Sequence, residues 1–211
     1  MKKLLNGIAE FRRTLTPQKA ARFAQLALGQ SPDCLFVACS DSRVVPNLFA
    51  STDPGDLFVV RNVGNLIPPA DSPGGEGRAA GAAAEFSTVV LGVRDVIVCG
   101  HSQCGAMRAI LQDEVPGGTP NLHQWLATGT TSVERLGRMP GVGADLPPVE
   151  RLSQVNVLQQ LDNLMTYAAI RDRVNAGGLR LHAWWFDIGN ARVLAWHQDA
   201  GDFIPIEAAY D

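Results

Sequence analysis

Residues 95–108 read DVIVCGHSQCGAMR, and this stretch predicts both a strand of the core and the chemistry that follows it. The apolar run 95–99 predicts a buried strand, which Gly100 is expected to end, and a helix is predicted after Cys104. His101 stands three residues before Cys104. An imidazole and a thiol are therefore expected at the carboxyl end of a strand, where open α/β sheets place their binding sites.

A second apolar run also ends in a cysteine. Residues 35–43 read LFVACSDSR, so a strand ending at Cys39 is predicted. If the two strands lie parallel and side by side, Cys39, His101 and Cys104 come together. Two thiolates and one histidine, with a fourth position open, are a recognised ligand set for catalytic zinc.

Three blocks of the chain together resemble a known family. They read CSDSR (39–43), VVRNVGN (59–65) and CGHSQCGA (99–106). In their order and separations they are similar to the β-class carbonic anhydrases, and a weaker resemblance extends over residues 30–190. The resemblance implies a carbonate dehydratase with one Zn²⁺ per chain. It would hydrate carbon dioxide reversibly to bicarbonate and a proton, by attack of zinc hydroxide.

Asp41 and Arg43 lie just beyond the first predicted ligand, two residues apart. A carboxylate held by a guanidinium could accept a hydrogen bond from zinc-bound hydroxide, or could move onto the metal and close its fourth position. A simple ion pair at the strand end is the structural alternative. The resemblance implies the catalytic pair and a possible closed form in which Asp41 is the fourth ligand.

The substrate pocket follows from the resemblance alone. It implies that Gln30, Phe58, Phe86 and Gly105 surround the substrate, with the first three reaching the zinc of a neighbouring subunit. Phe86 stands where the family usually has tyrosine, so one possible hydrogen bond is lost while an apolar wall is kept.

A bicarbonate-inhibition site of some bacterial members maps by resemblance onto Phe36, Arg61 and Phe186. Those members have tryptophan, arginine and tyrosine there, so only the arginine is kept. We expect this inhibition to be absent or weak, and Arg61 to form a structural ion pair.

The composition describes an ordinary folded protein. The 211 residues are 46% hydrophobic and 18% charged, with a net charge of −3. A chain of this length can bury about 70% of its unfolded surface as one domain. The charge provides no basic footprint for nucleic acid, and no apolar run is long enough to span a membrane.

The first residues, MKKLL, begin like a signal peptide. However, Asn6, Gly7 and Glu10 interrupt any apolar core, and no small-residue cleavage site follows. We therefore expect an unprocessed cytoplasmic protein.

Four cysteines are too few for a disulfide scaffold. Cys34 and Cys99 lie in apolar runs and are expected to be small buried hydrophobes. A thiol redox protein that pairs Cys39 with Cys104 is an alternative, but no Cys-x-x-Cys motif is present and the adjacent His101 favours a metal site.

We predict one zinc-binding α/β domain over residues 1–211. Its first part, residues 1–29, is predicted to form a helical arm. Thr16 is the expected cap of the second arm helix, with Pro17 at its first position. The resemblance implies that the arm wraps a partner subunit, giving a homodimer or a dimer of dimers (a homotetramer).

The predicted sheet is mostly parallel, with about four strands, an antiparallel edge strand and helices on both faces. The strands are predicted over 34–39, 57–61, 95–99 and 179–187, with an antiparallel return over 192–197. Helices are predicted over 79–91, 106–111 and 149–176. The stretch 113–150 is interpreted as an irregular connection with one short helix near 123–126.

Two other functions fit the same residues. Hydrolysis of carbonyl sulfide or carbon disulfide uses this ligand set in some relatives of the family. A non-catalytic zinc module for dimerisation or partner binding is the alternative from another class. The presence of both Asp41 and Arg43 counts against it.

Overall fold

The computed structural model describes residues 1–73, 75 and 77–210. The chain divides into two units, Met1–Ser31 and Pro32–Asp211. Within the described residues, no helix combines the length and the apolar character needed to span a membrane.

Two helices make up the first unit, α1 (Lys2–Arg13) and α2 (Pro17–Leu26). The Thr16 hydroxyl accepts a hydrogen bond from the backbone N–H of Lys19 at 3.2 Å. The predicted break and cap between the two helices are therefore confirmed. None of the residues of these two helices is buried.

Six strands form the sheet of the second unit: β1 (Cys34–Cys39), β2 (Leu57–Asn62), β3 (Asp95–His101), β4 (Arg180–Asp187), β5 (Arg192–His197) and β6 (Asp202–Pro205). Their order is β2-β1-β3-β4-β5-β6. The first four are parallel, and β5 and β6 continue antiparallel. The predicted mostly parallel sheet with an antiparallel edge is confirmed, and β6 is a strand that was not predicted.

Strand β1 lies between β2 and β3, and every one of its residues is buried. Val37 pairs with Val60 on one side and with Val98 on the other. A parallel strand enclosed in this way needs apolar residues on both faces, which explains its uninterrupted apolar sequence.

The helices of the second unit are numbered in chain order. They are α3 (Pro46–Phe49), α4 (Arg78–Glu85), α5 (Gly105–Gln112), α6 (Pro120–Ala127), α7 (Thr131–Arg138), α8 (Pro148–Leu164), α9 (Ala168–Asn175) and α10 (Ile206–Ala209). A π-helical turn, Phe86–Val90, follows α4.

Two helical predictions differ from the structure. The single helix expected over 149–176 is α8 and α9, separated by a turn in which Tyr167 adopts an extended conformation. The Tyr167 hydroxyl donates to the carbonyl of Pro68 at 2.7 Å, so tertiary contact fixes this turn although the apolar period continues through it. In the stretch 113–150, α6 matches the short helix expected near 123–126, whereas α7 was not predicted.

The two faces of the sheet pack separately. Val96 and Val98 of β3 belong to the larger apolar cluster with α8, whereas Ile97 and Cys99 pack with Phe36 in a second cluster. This alternation follows from the period-2 geometry of a strand. Helix α8 is the main helix against β3 and β4.

Gly100 does not end β3, contrary to the prediction, because the strand continues to His101. Gly100 pairs with Trp185 in the sheet. A Cβ at this position would lie 2.7 Å from Val157 Cγ2 and 3.0 Å from the carbonyl oxygen of Ser153. The glycine therefore allows α8 to approach the end of the strand closely.

We expect Gly100→Ala to destabilise the protein by about 1–3 kcal/mol, because the added methyl overpacks the contact with α8. Urea unfolding with matched zinc content measures this change. Gly137→Ala is the control: beyond the adjoining backbone of its own helix, no atom of the described residues lies within 4 Å of a Cβ there, and the position is in the last turn of α7. It should stabilise the helix by about 0.5–1 kcal/mol. Equal midpoints for Gly100→Ala and the native protein would contradict the packing argument.

Candidate metal centre

Three buried side chains converge at the carboxyl edge of the sheet. Ligand atoms of Cys39, His101 and Cys104 all lie within 4.8 Å of one another. Cys39 is the last residue of β1, His101 is the last residue of β3, and Cys104 immediately precedes α5. The structure thus brings together the three residues that the sequence suggested as ligands.

The imidazole of His101 is oriented for a metal. Its Nδ1 lies 2.9 Å from the carbonyl oxygen of Ser102 and donates to it, because a carbonyl can only accept. Nε2 is then the nitrogen with a free lone pair, and it is buried with no hydrogen-bond partner among the described residues. A metal-binding histidine usually donates its other ring N–H to such a carbonyl. The unpartnered nitrogen therefore fits a metal ion at this point.

The thiols of Cys39 and Cys104 have pKa values shifted in opposite directions. Cys39 Sγ accepts from the backbone N–H groups of Asp41 and Gly64, each at 3.4 Å. A hydrogen bond from the Cys104 thiol, with smaller contributions from the adjacent His101 ring and from these backbone contacts, lowers the pKa of Cys39 against the opposing effect of burial. The pKa of Cys104 is raised by that same bond and by burial. Without metal the pair holds one proton, which zinc would displace because it binds thiolates.

Cys34 and Cys99 differ from the ligand pair. Both are buried and free of disulfides. Burial, with a smaller contribution from Asp95, raises the pKa of Cys34 to about 11. Burial also raises the pKa of Cys99. Both therefore remain neutral thiols, as expected for small core residues.

Asp41 and Arg43 form a two-pronged ion pair. Arg43 Nε donates to Asp41 Oδ1 at 2.9 Å and Nη2 donates to Oδ2 at 2.7 Å. The backbone N–H of Arg43 adds a third bond to Oδ1 at 3.0 Å. The guanidinium holds the pKa of the Asp41 carboxyl well below its usual range. The carboxylate is thus ionised and turned towards Arg43.

Arg61 supports the same segment. Its Nε donates to the carbonyl of Cys39 at 2.9 Å, and its Nη2 donates to the carbonyl of Asp41 at 2.6 Å. This differs from the ion pair expected of Arg61: among the described residues its recorded partners are backbone carbonyls and not a carboxylate. Phe36 and Phe186 are both buried. Weak or absent inhibition by bicarbonate remains a prediction.

Buried amides of α8 hold the loop that follows β2. Asn156 Nδ2 donates to the carbonyl of Gly64 at 3.3 Å. Gln160 accepts from the N–H of Ile67 at 2.7 Å, and Asn163 donates to the carbonyl of Ile67 at 2.8 Å. Sequence reasoning treated this helix as apolar packing only. The signal was present, because the three amides recur at helical spacing on one face.

A cleft of about 430 Å³ opens beside Cys39 and Asp41. Gly105 lines this cleft, and its role at the substrate remains a prediction. Leu122 and Leu126 of α6 also line the cleft. These apolar residues were missed because no motif marks them.

The other expected pocket residues are placed differently. The rings of Phe58 and Phe86 lie 5.9 Å apart, and neither is among the described residues lining this cleft of their own chain. Gln30 belongs to the first unit. The roles of all three in a pocket remain predictions.

We expect iodoacetamide to alkylate one cysteine, Cys39, in the reduced, metal-free protein at about pH 6, because its lowered pKa leaves a thiolate there. Cys39 lines the cleft, so the reagent has access to it. Mass spectrometry locates the label, and bound zinc should protect Cys39 from alkylation. Cys34 and Cys99 are internal controls that stay unlabelled. Labelling of Cys104 before Cys39, or no labelling below pH about 8, would contradict the charge distribution.

Comparison with known proteins agrees with this geometry. A family model described as "Carbonic anhydrase" matches residues 34–193. A carbonic anhydrase of Synechocystis sp. is 40% identical over 210 residues, which cover 97% of this chain and 74% of the relative. One from Pseudomonas aeruginosa is 37% identical over 196 residues, covering 92% and 87%.

Solved structures give the same result. The β-carbonic anhydrase CcaA superposes with a TM-score of 0.87 at 38% identity, covering 97% of this chain and 91% of that chain. A tetrameric β-carbonic anhydrase from Sordaria macrospora gives a TM-score of 0.78 at 30% identity, covering 92% and 95%. The chain therefore belongs to the β-class carbonic anhydrase family, as a carbonate dehydratase of the lyase class.

Proposed function

We propose that this chain hydrates carbon dioxide reversibly to bicarbonate and a proton at a zinc ion held by Cys39, His101 and Cys104, with one zinc per chain. The observation that carries the proposal is the unpartnered, buried Nε2 of His101, which converges with two cysteine sulfurs. Bound zinc would supply a Lewis acid that lowers the pKa of a water, so that hydroxide is available near neutral pH.

Asp41 would orient that nucleophile. A carboxylate has about four acceptor positions, two on each oxygen. Arg43 uses both positions of Oδ1 and one of Oδ2. The remaining position on Oδ2 is the one available to a reacting water. Because the pKa of Asp41 is held low, the carboxylate acts as a hydrogen-bond acceptor and does not donate a proton. With Oδ2 released by Arg43, the same carboxylate would be a possible fourth ligand in a closed form.

The cleft suits a small substrate without hydrogen-bond donors. Val63 and Leu122 give it apolar walls, which exclude water from the reacting carbon. Gly105 is the first residue of α5 and faces open space. The positive end of the helix would stabilise negative charge that develops on a substrate oxygen. Phe58, Phe86 and Gln30 would complete the pocket from a partner subunit.

We propose a homodimer as the minimal unit, which could pair further into a dimer of dimers. Helix α1 exposes a set of large apolar side chains, Leu4, Leu5, Ile8 and Phe11. In the second unit, Phe86, Val89 and Val90 are also exposed. Such surfaces are typical of protein–protein interfaces. Within a single zinc-binding domain over residues 1–211, the arm would therefore cover a second copy of the chain. We expect this assembly in the cytoplasm, with no nucleic acid or membrane partner.

Stopped-flow carbon dioxide hydration on zinc-loaded protein, from pH about 6.5 to about 9, tests the activity. We expect zinc-dependent turnover, and we expect Asp41→Asn to lower kcat by about a hundredfold with zinc content unchanged. Asp53→Asn is the matched control, because Asp53 is exposed in a turn. Turnover only at the alkaline end would indicate that Asp41 closes the metal at lower pH. With one zinc per chain, absence of turnover throughout would favour a sulfur substrate or a structural zinc module.

Light scattering after size exclusion tests the assembly. We expect about twice the chain mass of 22.6 kDa, or four times for a dimer of dimers. Ile8→Asp should shift the protein towards monomer, because it places a charge on the apolar face of α1. Asn6→Asp is the control on the same helix, adding a charge at a polar position. A native protein of 22.6 kDa at micromolar concentration would disprove the dimer.

A further inference from the structure

The geometry points to Gln103 and Glu150 as positioning residues for the reaction. Together they would fix the guanidinium of Arg43 and, through it, the carboxylate of Asp41. This inference rests on the proposed function. Neither residue stood out in the sequence, because Gln103 lies between the two expected ligands without a metal-binding group of its own and Glu150 lies 47 positions away.

The backbone of Gln103 is held in an unfavourable conformation. Its φ is +54°, in the left-handed region that residues with a Cβ seldom adopt. Such a conformation persists where the surroundings impose it. Here the constraint comes from both sides in sequence, since His101 and Cys104 are directed to the same metal centre.

Gln103 contacts Arg43 through two oxygens. Its backbone carbonyl accepts from Arg43 Nη2 at 3.2 Å, and its side-chain Oε1 lies 3.5 Å from Nη1. Asp41 occupies the other side of the same guanidinium. Arg43 is therefore bracketed between two segments, 39–43 at the end of β1 and 101–104 at the end of β3, although 45% of its side chain is exposed. Without the bracket, a long exposed side chain would sample several rotamers.

Glu150 anchors the bracket to a rigid element. Its Oε2 accepts from the backbone N–H of Gln103 at 3.2 Å. Glu150 lies in the first turn of α8, where a carboxylate is favoured by the helix dipole. Because α8 packs against β3 and β4, the contact ties the metal loop to the core of the sheet.

The consequence concerns the free acceptor position of Asp41. If Arg43 rotates, the remaining lone pair of Oδ2 points elsewhere and the nucleophile loses its orientation. Misplacement by about 1 Å can cost a large factor in rate. The bracket therefore affects catalysis without touching substrate.

The first test needs no activity. In zinc-loaded protein, NMR measures solvent exchange of the Arg43 Nε–H, which is bonded to Asp41. We expect exchange to be about tenfold faster in Gln103→Ala and in Glu150→Ala, with Glu150→Gln restoring it because an acceptor oxygen is kept. Glu134→Ala is the matched control: Glu134 is in the first turn of α7 and is exposed. Unchanged exchange in both Gln103→Ala and Glu150→Ala would overturn the proposal.

The second test is a double-mutant cycle on kcat. We expect Gln103→Ala to lower kcat about fivefold at unchanged zinc content in the native background, and to have no further effect beside Arg43→Lys. Additive losses would overturn the proposal, because they mean that Gln103 does not act through Arg43. If the native protein does not hydrate carbon dioxide, the proposed function is wrong. The exchange measurement alone then tests whether Gln103 and Glu150 fix Arg43.

Discussion

The parallel pairing of β1 with β3 is the constraint on which the site depends. Ala38 pairs with Cys99, which places Cys39 level with Gly100, so β3 continues one residue beyond the end of β1, to His101. Their ligand atoms meet because both strands finish at the same edge. A slip of one residue would turn Cys39 to the opposite face of the sheet. The buried apolar residues on both faces of β1 oppose that slip, so the core that stabilises the fold also sets the ligand geometry.

Beyond the strand ends, the loops are held mainly by polar contacts and less by apolar packing. The loop after β1 is held by Arg61, and the loop after β2 is held by buried amides of α8. A backbone N–H from each loop reaches Cys39 Sγ. The hydrogen bonds that are made here favour one arrangement, because breaking them would leave buried groups unpaired in a low dielectric. They suit a centre whose donors must be placed to within a fraction of an ångström.

The parts predicted correctly from sequence depend on local signals. The bounds of β1, the cap at Thr16 and the convergence of Cys39 with His101 follow from apolar runs, a capping residue and parallel topology. The failures share one cause, which is tertiary contact overriding a local rule. Gly100 was expected to break a strand, but it allows α8 to approach. The apolar period of α8 continued past its real end, where Tyr167 bonds to a distant carbonyl. Leu122 became part of the cleft only through folding.

The ligand set also explains why the loop after β1, which carries Asp41 and Arg43, is so firmly held. Two thiolates cancel the charge of a zinc dication, so water at such a centre is acidified less than at three neutral histidines. The nucleophile then depends more on the groups around it. Asp41 has one acceptor position left for that task, and only while Arg43 occupies the other three. A carboxylate that became free to rotate could bind the metal itself, since oxygen ligands are acceptable to zinc. With zinc bound, the ion pair would therefore both orient the carboxylate and keep it off the metal, and the strength with which Arg43 is held would decide between the two arrangements.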